Sequence, residues 1–267
     1  MSEMPVQWLL DTHCHLDAYD DPLAELDRAH HAGVHVVAVT EDPGRYRILR
    51  TRLGRRPGVE VALGYHPMRA ADLGPADLLR FLRLLPQANW VGEIGLDFSR
   101  HAIASKTAQL RAFEAILAEP RLRTIPVTVH SRGAERDTIT RLAQARIPAI
   151  LHWYTGPLGP IDDALAAGMY FSINPAMLAS RKAATLLPRL PLDRILLETD
   201  GPYTRLRSRP TTPADIAATI GSLAAKWQVS EQYAHTTIRE NQQRLLGGVK
   251  SGCPDHDNQF HGPNPSG

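Results

Sequence analysis

Eight short runs rich in aliphatic and β-branched residues punctuate the chain: QWLLDTH, VHVVAVT, VEVALGYH, WVGEIGLD, IPVTVH, PAILHW, MYFSIN and RILLETD. Between them lie stretches such as PLAELDRAHHAG, PADLLRFLRLLP, KTAQLRAFEAILAEP and ERDTITRLAQARI, where apolar residues recur at helical spacing and charge occupies the other face. Near-continuous apolar runs predict strands buried on both faces, and the alternation with amphipathic helices predicts βα units around a parallel sheet. A closed eight-stranded (β/α)8 TIM barrel fits this pattern better than an open doubly wound sheet, since no Gly-x-Gly-x-x-Gly follows the first strand. PADIAATIGSLAAKWQ and SEQYAHTTIRENQQRLL predict two further helices closing the outside of the barrel, the second capped by Ser230.

The pattern ends before GGVKSGCPDHDNQFHGPNPSG, which is rich in Gly, Pro, Asn and Asp. The expected organisation is one barrel domain over residues 1–248 and a disordered tail over 249–267. Cys253, His256 and His261 in that tail match no strong zinc spacing. Cys14 is the other of two cysteines, so no disulfide framework is expected, in keeping with a reducing compartment. With no signal-peptide pattern and no apolar run long enough to span a bilayer, the expectation is a soluble cytoplasmic protein without a membrane partner. A net charge of +2 gives no compositional evidence for a nucleic-acid partner, so that case rests on the site.

The chemistry gathers at the C-terminal ends of the predicted strands. His13 and His15 end the first, Glu93 lies in the fourth, His130 ends the fifth, His152 the sixth, and Asp200 follows the eighth. In a barrel these ends share one face, so four imidazoles and two carboxylates converge there. Such a set without thiolates suits zinc, manganese, magnesium or nickel, and six ligands exceed what one tetrahedral ion needs. Two divalent ions sharing a carboxylate is the economical reading, a pair able to activate water and neutralise an acyl or phosphoryl oxygen. His30, His31, His35 and His101 have no such placement and are expected on the surface or on helix faces.

The segments DTHCHLD, LGYHP, GEIGLDF, PVTVHSR, LHWYTG and LLETDGPY, in that order over residues 9 to 247, resemble the TatD-like metal-dependent hydrolases. The resemblance implies a TIM barrel of the metal-dependent amidohydrolase type, divalent-metal dependence and nuclease activity on DNA, commonly as an exonuclease. By motif it implies that His13 and His15 bind the first ion, His130 and His152 the second, that Glu93 bridges both, and that Asp200 completes the first site. It makes Asp200 and Glu93 the candidate catalytic carboxylates of a phosphodiesterase, with DNA the expected substrate. DTHCHLDAYDDP, GEIGLDFSR, YFSINPAML and RILLETDGPY further resemble the subgroup found in the Qat antiphage defence system, which implies partner proteins of that system.

Two departures from the family pattern bear on substrate contacts. The family's His-Pro-His after the third strand is His66-Pro67-Met68 here, which keeps one imidazole for substrate. Its Arg-Gly-Lys-x-Asn segment after Asp200 is replaced by YTRLRSRPTTP, making Arg205, Arg207 and Arg209 candidate phosphate contacts beside Arg132 of the HSR motif. The rival readings are hydrolysis of a small amide or ester at the same metals, and a noncatalytic DNA- or partner-binding subunit of a defence complex.

Overall fold

A computed structural model describes residues 8–250. Most of the tail expected from residue 249, including Cys253, His256 and His261, lies outside them. The helix containing the tail's first two residues runs on to Lys250.

The eight expected strands form β1 (Leu9–Cys14), β2 (Val34–Ala38), β3 (Val59–Val61), β4 (Val91–Gly95), β5 (Val127–His130), β6 (Ile150–Leu151), β7 (Tyr170–Ile173) and β8 (Ile195–Leu197). Parallel pairing runs β1-β2-β3 and β4-β5-β6-β7-β8. Backbone hydrogen bonds join the two sheets at both seams. Leu63 bridges Val91 in parallel, its N–H donating to Trp90 O at 3.0 Å and its carbonyl accepting from Gly92 at 2.9 Å. On the other side Asp200 N donates to His13 O at 2.8 Å and His15 N to Gly201 O at 2.9 Å. The result is the closed barrel.

Helices α1 (Pro22–His31), α2 (Pro43–Leu53), α3 (Pro75–Leu84), α4 (Lys106–Leu117), α5 (Glu135–Ala145) and α6 (Ile161–Ala166) follow successive strands; β7 and β8 are followed by α7 (Pro175–Ala179), α8 (Ala183–Leu186) and α9 (Ile216–Trp227). Local chemistry sets their ends. Asp21 and Asp42 accept from the first free N–H groups of α1 and α2, each helix opening with a proline that has no N–H to satisfy. The last helix, α10 (Glu231–Lys250), starts where Ser230 Oγ accepts from Tyr233 N at 3.2 Å.

Both final helices were expected outside the barrel. Helix α9 packs there through Ile216, Ile220 and Leu223, but Leu245 of α10 joins the cluster of Leu10, Val37, Ala62, Trp90, Ile150, Tyr170 and Leu196 that fills the bore. Asn241 fixes this position by donating to the carbonyls of Leu192 and Ile195, each at 2.7 Å. His35, expected at the surface, is buried on β2 opposite Leu10, and burial lowers its pKa to about 4.

Two strands break the period-2 rule where it matters. Leu10 faces the bore, so a regular β1 would turn His13 outward; the register shift between Asp11 and Cys14 reverses the alternation and brings His13 and His15 inside. On β4, Trp90 faces the bore and Val91 and Ile94 face the helices, and the irregularity between Val91 and Ile94 brings Glu93 inward as well. Trp90 supports this from below, its Nε1 donating to Thr128 Oγ1 at 2.9 Å.

Candidate metal centre

His13, His15, Glu93, His130, His152 and Asp200 all meet at the C-terminal mouth of the barrel, as the strand-end reading expects. Three ligand-atom groups form: His13, His15 and Asp200; His13, Glu93 and His152; and His66, Glu93 and His130. Glu93 is the pivot. Its Oε2 lies 3.4, 3.5 and 3.2 Å from Nε2 of His13, His15 and His66, while Oε1 lies 2.7 Å from His130 Nδ1 and 3.6 Å from His152 Nε2.

These spacings fit a cation. Corners of a tetrahedron with metal-ligand arms of about 2.1 Å lie about 3.4 Å apart. His13 Nε2 and His15 Nε2 are 3.3 Å apart and lie 3.7 and 3.4 Å from Asp200 Oδ1. With Glu93 Oε2 they outline such a set, and Asp200 Oδ1 is buried without a hydrogen-bond donor.

Protonation follows the same geometry. Burial drives His13 down to about 3, the charge of His152 adding to it, and the His13 and His152 rings stack 3.7 Å apart at 10°. Burial also opposes charge on His15 and His130, but the carboxylates of Asp200 and Glu93 raise His15 to about 10, and those of Asp97 and Glu93 raise His130 to about 9. Glu93 is held well below the ordinary carboxylate range, its burial outweighed by the surrounding imidazoles, His66 foremost. Protons thus hold together a donor set that a divalent cation can occupy instead.

Residues that the motif reading did not single out orient these ligands. Glu198 Oε2 lies 3.0 Å from His152 Nδ1, and its Oε1 accepts from Trp153 N at 3.1 Å and Asn174 Nδ2 at 2.9 Å; Ser172 also donates to it. Asp97 Oδ2 lies 2.9 Å from His130 Nε2. Asp11 accepts from Thr199 N at 2.9 Å and Thr199 Oγ1 at 2.5 Å, tying β1 to the segment that carries Asp200, and burial raises its pKa to about 8. All three carboxylates lay inside quoted motifs, as the Asp of GLDF, the Glu of LLETD and the first Asp of DTHCH, but only the folded chain places them behind the ligands.

A cavity of about 520 Å³ opens over the cluster, lined by His66, Arg132, Trp153 and Tyr203 among others. Asp200 and Trp153 take left-handed φ values of 48° and 39°. Such backbone costs about 1–3 kcal/mol and concentrates at functional sites.

The three hairpin arginines do not meet this cavity. Arg205 and Arg209 lie on a two-stranded ribbon, β9 (Arg205–Leu206) and β10 (Arg209–Pro210), with Arg207 at its turn. Asp215 grips Arg209 through two hydrogen bonds of 2.6 and 2.7 Å, Arg205 donates to Ser208 O, and none of the three lines the cavity.

A model of the TatD related DNase family matches residues 10–247. The chain is 33% identical over 198 residues to the 3'-5' ssDNA/RNA exonuclease TatD of Dickeya dadantii, covering 68% of this chain and 75% of that one. It is 32% identical over 229 residues to the human deoxyribonuclease TATDN3, covering 76% and 82%. The crystal structure of YJJV, a TatD homologue from Escherichia coli, superposes with a TM-score of 0.80 at 22% identity, over 91% of this chain and 99% of that one.

Proposed function

Because the chain belongs to the TatD related DNase family, we propose that it is a divalent-metal-dependent deoxyribonuclease cleaving phosphodiester bonds at the mouth of its barrel. The observation that carries this reading is the Glu93 carboxylate, whose two oxygens face opposite histidine groups. His13, His15, Glu93 and Asp200 would hold one ion, and Glu93, His130 and His152 a second. When bound, the ions supply Lewis-acid activation of water and charge neutralisation at phosphorus.

The chain's own groups do the rest. Asp200, open to the cavity, orients the attacking water and accepts its proton. Arg132 and His66, which both line the cavity, contact the scissile phosphate. Tyr203, 55% exposed and edge-on to His15 at 4.8 Å, offers its ring to a base at the entrance. The relatives' names support nucleic acid over a small amide or ester: two of them are called exonuclease and deoxyribonuclease.

The finer part of the proposal is a role in antiphage defence beside Qat-system proteins in the cytoplasm, supported by the DTHCHLDAYDDP and YFSINPAML segments. No helix among the described residues is long and apolar enough to cross a membrane. The test is a panel of divalent ions with end-labelled single- and double-stranded DNA and RNA, with and without those partners. Cleavage of DNA by the chain alone supports the enzyme; hydrolysis of esters or amides with no nucleic-acid cleavage replaces it. Antiphage protection that survives Asp200→Asn would point to the noncatalytic subunit.

A further inference from the structure

Helix α2 buries Tyr46, Leu49 and Leu53 and turns the opposite face outward, where Arg47, Ile48, Thr51 and Arg52 are exposed. Arg55 continues that face past the helix end, and α3 runs alongside with Leu79, Arg80 and Arg83 exposed. A groove lies between the two helices, lined by Gly44, Arg47, Ile48, Thr51, Arg52 and Arg80.

Two properties separate this surface from an ordinary solvated face. Arg45, Arg69 and Arg56 nearby are paired with acids: Arg45 with Asp17, Arg69 with Glu41 and Arg56 with Asp27. Arg47, Arg52, Arg55 and Arg83, by contrast, make no ion pair or hydrogen bond among the described residues, and Arg80 has only its helix neighbour Asp77 at 2.8 Å. The chain's net charge is only +2, so this basicity is local. Ile48 and Leu79 are 69% and 54% exposed among these arginines, an apolar surface with no covering partner in the fold.

The groove also starts close to the barrel mouth. Glu41 and Met68 line the catalytic cavity, Arg69 holds Glu41 at 3.1 Å, and Gly44, in the first turn of α2, lines the groove. From there α2 leads away from the mouth for about 16 Å, at about 1.5 Å per residue over its 11 residues.

We infer that the α2–α3 groove is a second nucleic-acid site, which holds the backbone of a single strand whose end is engaged at the metal centre. Guanidinium forks take successive phosphates, and Ile48 and Leu79 meet the apolar faces of bases. The inference rests on the nuclease reading for its direction from the mouth, while the charge and exposure of the groove stand apart from it. It makes the enzyme length-dependent: a strand too short to leave the cavity gains nothing from α2, and a long one gains affinity that salt removes.

The test uses the metal-loaded full chain and the variant Arg47→Gln/Arg52→Gln/Arg83→Gln, beside a charge-matched control, Arg141→Gln/Arg189→Gln/Arg244→Gln, on other faces. Cleavage of a trinucleotide should be unchanged in the groove variant. On single-stranded DNA of about 20 nucleotides its kcat/KM should fall about tenfold or more through KM, and the slope of log affinity against log salt should flatten by about 2, at about 0.7 for each phosphate that is no longer neutralised. The control should match wild type. Equal losses on both lengths, an unaltered long-strand KM, or equal losses in the control would overturn the proposal. If no strand is cleaved the nuclease reading fails, and anisotropy of the labelled long strand still decides the groove: binding unchanged by the triple substitution overturns it.

Discussion

Glu198 holds His152 by the nitrogen that faces away from the histidine and carboxylate cluster: Oε2 lies 3.0 Å from Nδ1, and Nε2 is left turned toward Glu93. The carboxylate fixes both the tautomer and the angle of the ring. Glu198→Gln places an amide group where a proton acceptor is needed. It should lower affinity for the ion beside His152, or turnover, by about 10- to 100-fold, the usual cost of losing such a partner. Metal titration by calorimetry, with thermal unfolding measured alongside, checks this; unchanged affinity and turnover would remove Glu198 from the site.

Asp200→Asn keeps an oxygen for a cation but cannot take a proton from water as a carboxylate does. Turnover should fall at least about a hundredfold while metal content and DNA binding persist. Single-turnover cleavage at saturating metal is the readout, and a near-wild-type rate would assign the proton to another group.

Gly95 has φ 138°, and a Cβ there would sit 2.0 Å from the carbonyl oxygen of His130. Gly95→Ala should push β4 from β5, costing about 2 kcal/mol or more. For a chain of this size that is a loss of roughly 4–8 °C in Tm. Metal content should fall with it, because His130 lies on the displaced strand; an unaltered Tm would mean that the two strands separate freely.

Asp215 is buried, which alone would raise its pKa, but the Arg209 fork outweighs burial and holds it below its ordinary value. A folded pKa below the unfolded one gives stability that is full above the unfolded value, about 3.9, and is lost as pH falls through the folded value. The Tm gap between wild type and Asp215→Asn should therefore be widest near neutral pH and close in acid. Arg209→Gln should reproduce that gap while leaving KM for DNA unchanged; a raised KM would return Arg209 to the substrate.

The fold and the convergence of the candidate ligands were legible because strand-end residues of a barrel share one face whatever the details of packing. His130, His152 and Asp200 needed only that rule. His13, His15 and Glu93 needed more: regular strands carrying Leu10 and Trp90 into the bore would turn them outward, and only the irregularities on β1 and β4 reverse this. No sequence period encodes such a bulge. The roles of Glu198 and Asp97 were hidden because a carboxylate behind a histidine reads in sequence like any other strand-end acid. The partner of Arg209 was hidden too, since charge near Asp200 in sequence says nothing of Asp215, which folds back to pair with it.

On the proposed reading, the histidine and carboxylate cluster is the centre of metal-dependent phosphodiester cleavage. The most direct measurement titrates a divalent ion into chelator-stripped protein while bound metal and single-stranded DNA cleavage are followed in the same sample. Cleavage should be absent without metal, rise in step with occupancy, and stay absent in His13→Ala/His15→Ala at any occupancy that variant reaches. Cleavage that persists in chelator, or wild-type protein that fills with metal yet cuts no nucleic acid, would contradict it.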